Sequence, residues 1–412
     1  MIPAAGPTSP SDRIDLLDAI RGVALGGILL ANLTSFFGVD MMDAAVRRGM
    51  PMGSAGEAVL FGVNGLVEGK FYSIFSILFG LGFALQAARA RDRGEPDHRF
   101  AGFFRRKMTV LIVIGLTHMY ALWSGDILTL YGVMGLLLPS IMRLRPRVQF
   151  ALLMVLLSVP TATHALVITT DGRLNPRTPF ASIGSELRQQ FGVADRPPLD
   201  VFAHGVPSDY WAWNASFAVA RPGTYLQSGR PAKVLALFLI GAWIGRSLLP
   251  RLQTIRRRLW ITAVVGAGFG LPASFVYASI KGETGSTFLV SSVGLVQTVA
   301  YTVGTTPLAL AYMAAAALLW DSTFGRRALR WFTPLGRMAL SVYLTQTLVQ
   351  VVLFTSVGAG LAGRAPVAIL PLVAAAILFT QRHVCAWWLG RYQQGPVETL
   401  WRRMSYRAAA NR

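Results

Sequence analysis

Apolar residues fall along this chain in long stretches. They show neither the alternation of a half-buried strand nor the narrow stripe of a surface helix. Stretches of this kind read as membrane-crossing helices, about 20 residues each across a hydrocarbon core about 30 Å thick. The pattern places spans at roughly 19–38, 58–88, 108–123, 127–142, 148–168, 233–249, 259–280, 287–320, 334–357 and 366–387. The second and eighth are too long for a simple crossing. Gly69-Lys70 is expected to break the second, leaving 71–88 to span. Gly304 to Pro307 is expected to break the eighth, leaving 306–320 to span and 287–303 as a surface-lying or re-entrant helix. Such breaks usually line a cavity. The predicted fold class is all-α, a polytopic bundle of about ten transmembrane helices. It divides into an N-terminal half (1–168), a polar segment (169–232) and a C-terminal half (233–412).

Composition agrees with the pattern. Of the 412 residues 53% are apolar and only 14% charged, with a mean hydropathy of +0.48. A typical soluble domain carries about 25% charged residues. The single cysteine, Cys385, excludes an internal disulfide framework. The first twelve residues are polar, and no clean small-x-small cleavage site follows the first apolar run. That run reads as an uncleaved span rather than a signal peptide.

The net charge of +20 would point to nucleic acid in a soluble protein. Here topology explains it. With the N-terminus inside, the inner segments are 1–21, 89–107, 143–147, 246–258, 321–337 and 382–412. They hold 27 of the 39 basic residues and eight of the 19 acids. Every inner connection is basic and the outer side is close to neutral, as the positive-inside rule requires. Both termini are therefore expected in the cytoplasm, with 169–232 outside as a lid of short interfacial helices. Its aromatic residues, Tyr210, Trp211 and Trp213, read most simply as interface anchors beside Asp209.

Ionisable residues inside spans are costly and are candidates for function. Asp18 and Arg21 share one helical face. They form either a local ion pair or an anion site in which Asp18 orients Arg21. Asn32, farther along the same span, is a candidate for interhelical hydrogen bonding. His118 lies about 16 Å beyond Lys107 along a helix, near mid-depth. It reads as a general base or acyl acceptor, or as a buried structural imidazole. Asp126, at the turn Ser124-Gly125-Asp126, would orient His118 or an acceptor hydroxyl, or only cap the next span. Lys70, two residues after Glu68 at the broken span, either snorkels or binds a ligand. Ser341 and Thr345 share one face of the ninth span, as do Tyr343 and Gln346, so a polar stripe faces the bundle interior.

Other matches carry less. Gly358 to Gly363 has dinucleotide-loop spacing without the strand-turn-helix context. His204 to Asp209 has the H-x-x-x-x-D spacing of soluble acyltransferase loops but sits on the outer side. The pairs Gly22/Gly26, Gly241/Gly245 and Gly266/Gly270 read as close helix contacts. The sequence contains no Walker motif or nucleophile elbow, the five histidines are scattered, and no metal site is expected.

Five blocks resemble the YeiB-type family of polytopic membrane proteins. They are Arg13 through Gly22 and on to Asn32; Gly69-Lys70-Phe71 with Phe75 and Leu78 to Gly82; Thr117-His118 through Trp123, with Gly125 to Leu128 and Tyr131-Gly132; Gly336 to Ser341 with Tyr343 and Gln346; and Arg391 to Glu398 with Trp401-Arg402. Val342 departs from the pattern, which often has Asn there. The family is similar to transmembrane acyltransferases that include the heparan-alpha-glucosaminide N-acetyltransferases. The resemblance implies a protein of the bacterial inner membrane. It implies a cytoplasmic acyl-CoA donor, most simply acetyl-CoA, and an acceptor such as a sugar or cell-surface glycan met from the far side. Under that implication His118 and Asp126 are catalytic, and Arg21, Lys70 and Arg337 bind the donor phosphates. Asp18, Asn32, Tyr343 and Gln346 bind substrate. The expected partners are the bilayer, acyl-CoA and the acceptor, with no nucleic acid and room for a homo-oligomer. The rival reading is a transporter or flippase for a small anionic or amphipathic solute, although no internal repeat links the halves. A non-catalytic scaffold or sensor comes third.

Overall fold

The computed structural model describes residues 15–39, 53–247 and 255–407. Arg13, Arg251 and Arg412, counted above among the inner charges, lie outside them. No strand occurs among the described residues.

The N-terminal half contains α1 (Asp15–Phe36), α2 (Gly53–Gly62), a π turn (Val63–Val67), α3 (Lys70–Asp92), α4 (Asp97–Ala121), α5 (Leu128–Ile141) and α6 (Pro146–Thr169). The polar segment folds as α7 (Thr178–Gln190), a π turn (Asp200–His204) and α8 (Pro207–Gln227). The C-terminal half contains α9 (Arg230–Ser247), α10 (Arg256–Thr284), α11 (Ser292–Trp320), α12 (Thr323–Arg330), α13 (Thr333–Arg337), α14 (Ala339–Phe354), α15 (Leu370–Leu389) and α16 (Pro396–Arg407).

Helices occupy all ten predicted spans. Six stretches are long and apolar enough to cross a membrane on length and composition, and α5 and α14 are shorter apolar helices. Two outer helices turn apolar side chains away from the bundle: Val155 on α6 and Val264 and Phe269 on α10 are 59%, 64% and 67% exposed, as suits a lipid-facing surface. The protein is an integral membrane helical bundle.

The second span breaks where expected. The π turn ends with the Glu68 N–H donating to Val63 O at 2.8 Å, Gly69 takes φ +82°, and α3 restarts at Lys70. Glycine fits there both for its left-handed backbone and because a Cβ would collide with Tyr301 and Thr305. The eighth span does not break. α11 runs unbroken from Ser292 to Trp320 with Pro307 inside it. Its partner α10 accounts for this: Gly304 packs on Ser274, and Gly266 and Gly270 pack on Pro307 and Leu308. Thr302 and Thr305 bond back to carbonyls one turn earlier, at 2.9 and 2.7 Å. Neighbouring helices and Thr hydroxyls commonly make a proline tolerable in a membrane helix.

Contacts sort the helix ends into two sets. At the arginine-rich end, the Arg105 guanidinium donates to Ser140 Oγ at 2.8 Å, and the Trp401 indole N–H donates to Lys107 O at 2.9 Å. At the other end, Phe36 packs on Trp123 and Phe202, and the Gly363 N–H donates to Phe37 O at 3.0 Å. The polar segment closes this second end. It does so differently from the interface-anchor reading. Tyr210 and Trp213 are buried and only Trp211 is well exposed, at 42%. The Tyr210 hydroxyl donates to Leu122 O, and the Trp211 indole N–H donates to Ala121 O at 3.2 Å. Asn214 donates to Met119 O and Tyr120 O and accepts from the Ser124 N–H at 2.6 Å. α8 therefore satisfies the carbonyls at the end of α4 that no intrahelical donor can reach.

Sidedness is testable by labelling. With the arginine-rich end in the cytoplasm, cysteines placed at Arg93, Arg145 and Leu329 react with an impermeant maleimide only from that side, and one at Asp195 only from outside. Labelling of position 145 from outside would break this topology.

Candidate functional site

The site starts from two close helix contacts. Gly336 of α13 lies directly on Asp18 O of α1, and Gly22 of α1 lies on Phe332 O. No side chain fits between these backbones, so Arg21 and Arg337 come to one place. Asp18 stays with Arg21, its Oδ1 2.5 Å from the guanidinium Nη1. Both arginines open onto a cavity of about 280 Å3.

Lys107 lines the same cavity from α4. Its ammonium donates to Gln86 Oε1 at 3.0 Å and stands 4.5 Å from the centre of the Trp401 ring. The sequence pattern placed Lys107 among the inner charges and did not mark it as a site residue. α16 holds this mouth together. The Glu398 carboxylate accepts from the N–H groups of Leu340 and Ser341 and from the Ser341 hydroxyl, at 2.7, 3.0 and 2.5 Å. A residue far along the chain thus caps the start of α14, a role the Arg391–Glu398 block did not reveal. Beyond the mouth the walls become apolar, with Leu25, Phe75, Phe79, Phe104 and Leu111. The cavity ends at Ile127, Tyr131 and Tyr343.

His118 lies just past that end, its ring centre 5.1 Å from that of Tyr343. It is 2% exposed. Nδ1 is 3.0 Å from Asp126 Oδ1, and Nε2 is 3.0 Å from Thr347 Oγ1. Asp126, fully buried, also accepts the Thr129 N–H at 2.7 Å, so it both orients the imidazole and caps α5. Where the Asp126 carboxylate accepts from Nδ1–H, the Nε2 lone pair faces the Thr347 hydroxyl, whose oxygen also lies 3.4 Å from Tyr343 O. Asp126, His118 and Thr347 therefore stand in an acid–imidazole–hydroxyl line. Thr347 was missed because its neighbours 343 and 346 carry the more polar side chains. The signal was its position four residues after Tyr343, on the same helical face.

Other expected residues lie elsewhere. Lys70 is not at the cavity mouth with Arg21 and Arg337. α3 passes Arg21 at Gly82, about 18 Å along the helix from Lys70 at 1.5 Å per residue. Lys70 is fully buried toward the lid end, where its ammonium donates to Asn64 O at 3.2 Å. Gln346 does not line the cavity. Its amide donates to Gln381 Oε1 at 3.1 Å and ties α14 to α15. Asn32 is half-buried, about 16 Å along α1 from Arg21, and is not among the residues lining the cavity. Tyr343 does line it. The H-x-x-x-x-D residues do not join: His204 faces Asp200 and Ala362 O, while Asp209 pairs with Arg196 at 2.7 Å. Among the described residues, no group of three or more His, Cys, Asp or Glu is placed to hold a metal.

Residues 244–408 match the family described as a protein of unknown function, DUF418. The chain is 27% identical to the uncharacterized protein YxaH of Bacillus subtilis (strain 168), over 97% of this chain and 96% of that one. It is 25% identical to the uncharacterized protein YeiB of Escherichia coli (strain K12), over 97% of each. A shorter match, 34% identical over 148 residues, is to an uncharacterized 39.9 kDa protein in the amylase 3' region of Bacillus acidopullulyticus. It covers 35% of this chain and 38% of that protein. No solved structure matches. These likenesses carry the YeiB relation seen in the five sequence blocks, and carry no activity.

Proposed function

We propose that this chain, a relative of YeiB and YxaH, is a membrane-embedded acyltransferase. In this reading it moves an acyl group, most simply acetyl, from cytoplasmic acyl-CoA to an acceptor met from the lid side, in a bacterial inner membrane. The observation that carries the reading is the buried Asp126–His118–Thr347 line just behind Tyr343, which lines a cavity that also holds Arg21, Lys107 and Arg337.

The cavity suits such a donor. Three cations at the mouth match phosphates, and guanidinium groups bind them bidentately. The volume, at the small end for ligand sites, fits a narrow thiol-bearing arm and not a whole nucleotide. The apolar walls exclude water from a thioester. His118 Nε2 then takes the proton of the acceptor hydroxyl or amine as that atom attacks the thioester carbonyl. The new C–O or C–N bond forms, the C–S bond breaks, and the imidazolium returns its proton to the departing sulfur. Asp126 orients the imidazole through Nδ1, as the acid does in hydrolytic triads. Thr347 holds Nε2 until an acceptor replaces its hydroxyl.

The broken second span favours the transporter or flippase reading, since interrupted helices often line solute paths. Donor binding separates the two. Arg21→Ala and Arg337→Ala are each expected to weaken coenzyme A binding about tenfold or more, as for the loss of a charged hydrogen bond. Thermal stability should change less, and wild-type affinity should fall as salt rises. Calorimetry on the purified variants measures this. Unchanged affinity in both would remove the donor site and move the transporter reading ahead.

A further inference from the structure

A second group of basic side chains, buried or half-buried, lies toward the lid end, beyond the apolar cavity. Lys70 is fully buried at the restart of α3. Lys233 of α9, 2% exposed, donates to the Thr305 hydroxyl, and its ammonium stands 4.3 Å from the centre of the Tyr301 ring. The Arg230 guanidinium, one turn earlier, is 5.5 Å from the Tyr72 ring and 5.7 Å from that of Tyr225. The Arg221 guanidinium of α8 also faces the Tyr225 ring, at 4.7 Å, and its buried Nε has no hydrogen-bond partner. The acid that faces Lys70 and Arg230 is Glu68. Its Oε2 is already 2.8 Å from Lys281. Basic side chains thus outnumber the acid here, and holding them charged away from water is costly unless an anion joins them.

The group is wired to the reaction centre. The Tyr225 hydroxyl donates to Asp126 O, on the residue that orients His118. The Tyr131 hydroxyl closes the donor cavity, bonds Ser76 at 2.6 Å and donates to Tyr72 O at 3.0 Å. A ligand held by Arg230 and Lys233 would therefore reach the imidazole through Tyr225 and Asp126.

We infer that Lys70, Arg230 and Lys233 form a binding site for a phosphate-bearing molecule entering from the lid end. As the anchor of the acyl acceptor, the site deepens the acyl-transfer reading and rests on it. As an anion site, it stands without it. A phosphate monoester or diester supplies the missing negative charge, and the tyrosine rings flank the organic part that carries the accepting hydroxyl or amine.

The test uses the full chain. Thermal unfolding is followed with inorganic phosphate, with glycerol 1-phosphate, and in nanodiscs of phosphatidylglycerol against phosphatidylcholine. At least one anionic probe should stabilise wild type. A response to soluble phosphates marks a free phosphate ester, and a response confined to phosphatidylglycerol marks a lipid headgroup. Lys233→Met and Arg230→Gln should each weaken the apparent affinity about thirtyfold or more, as for removal of one partner of a buried charge pair. Both should still bind coenzyme A at the arginine-rich mouth, which keeps this result separate from failure of the donor site. If Lys233→Met does not fold, Arg230→Gln decides alone. No stabilisation of wild type by any anionic probe, or an unchanged response in the folded variants, would overturn the site.

Discussion

His118→Gln is expected to insert, purify and bind coenzyme A like wild type, yet lose acyl transfer by about 10²–10⁴-fold, the scale of a missing general base. Glutamine keeps much of the volume and some hydrogen bonding toward Asp126 and Thr347. It has no lone pair that can take a proton near neutral pH. Asp126→Asn separates orientation from chemistry. It keeps the oxygen that accepts the Thr129 N–H but removes the charge that holds the Nδ1 proton, so transfer should fall while folding persists. Thr347→Val should be milder than either if the hydroxyl only parks Nε2, and as severe as His118→Gln if Thr347 itself accepts the acyl group. The measurement is transfer of labelled acetyl from acetyl-CoA in vesicles carrying each variant. Transfer near wild type in the glutamine variant would make His118 a packing residue. His164 supplies the comparison. It is also buried, between Thr298 Oγ1 at 2.8 Å and Leu289 O at 2.9 Å, with no carboxylate paired to it among the described residues, and His164→Gln should leave transfer unchanged.

The second large effect is structural. Gly241→Ala should destabilise the protein by about 3 kcal/mol or more, the upper range for overpacking, and Gly80→Ala should do the same. α3 and α9 meet backbone to backbone: a Cβ on Gly241 would overlap Ile77 O, and one on Gly80 would overlap Phe238 O. Neither obstacle is a side chain that can swing away, so the helices must separate. Lys233 and the Phe79–Phe238 stack, rings 4.5 Å apart, would shift with them. Gly102 and Gly268 are the controls. Each is helical with open space where a Cβ would go, so alanine there should be neutral or stabilise by up to about 1 kcal/mol. Thermal unfolding of the purified variants measures the contrast, and equal behaviour of the two pairs would refute the packing argument.

What the sequence revealed depended on whether a feature was local. The spans were legible because membrane apolarity extends over whole helices. The break at Gly69-Lys70 was legible because a glycine and a charge side by side in an apolar run seldom continue a helix. The His118–Asp126 pair was legible because a short turn separates them. The expected break at Gly304 to Pro307 failed because a proline's effect depends on the helix beside it, and α10 supplies the support. Lys70 was grouped with the wrong cations because charge alone does not give depth. Lys107, Thr347 and Glu398 act across contacts between distant segments, which spacing along the chain cannot report. Tyr210 and Trp213 looked like interface anchors because their burial depends on α4, whose end they cover.

That covering sets an order on assembly. The carbonyls of residues 119–122 near the end of α4 find their donors in Tyr210, Trp211 and Asn214, which lie 88 to 95 residues later. At synthesis rates of about 5–20 residues per second, that gap is roughly 5–20 s. During this interval the end of α4, with His118 on it, is in place but uncapped. The turn that presents Asp126 to the imidazole gains its Asn214 contact only when α8 arrives. The proposed reaction centre is thus completed after the N-terminal half is made, and a nascent chain stopped before residue 214 would carry the histidine without the clamp that sets its partner.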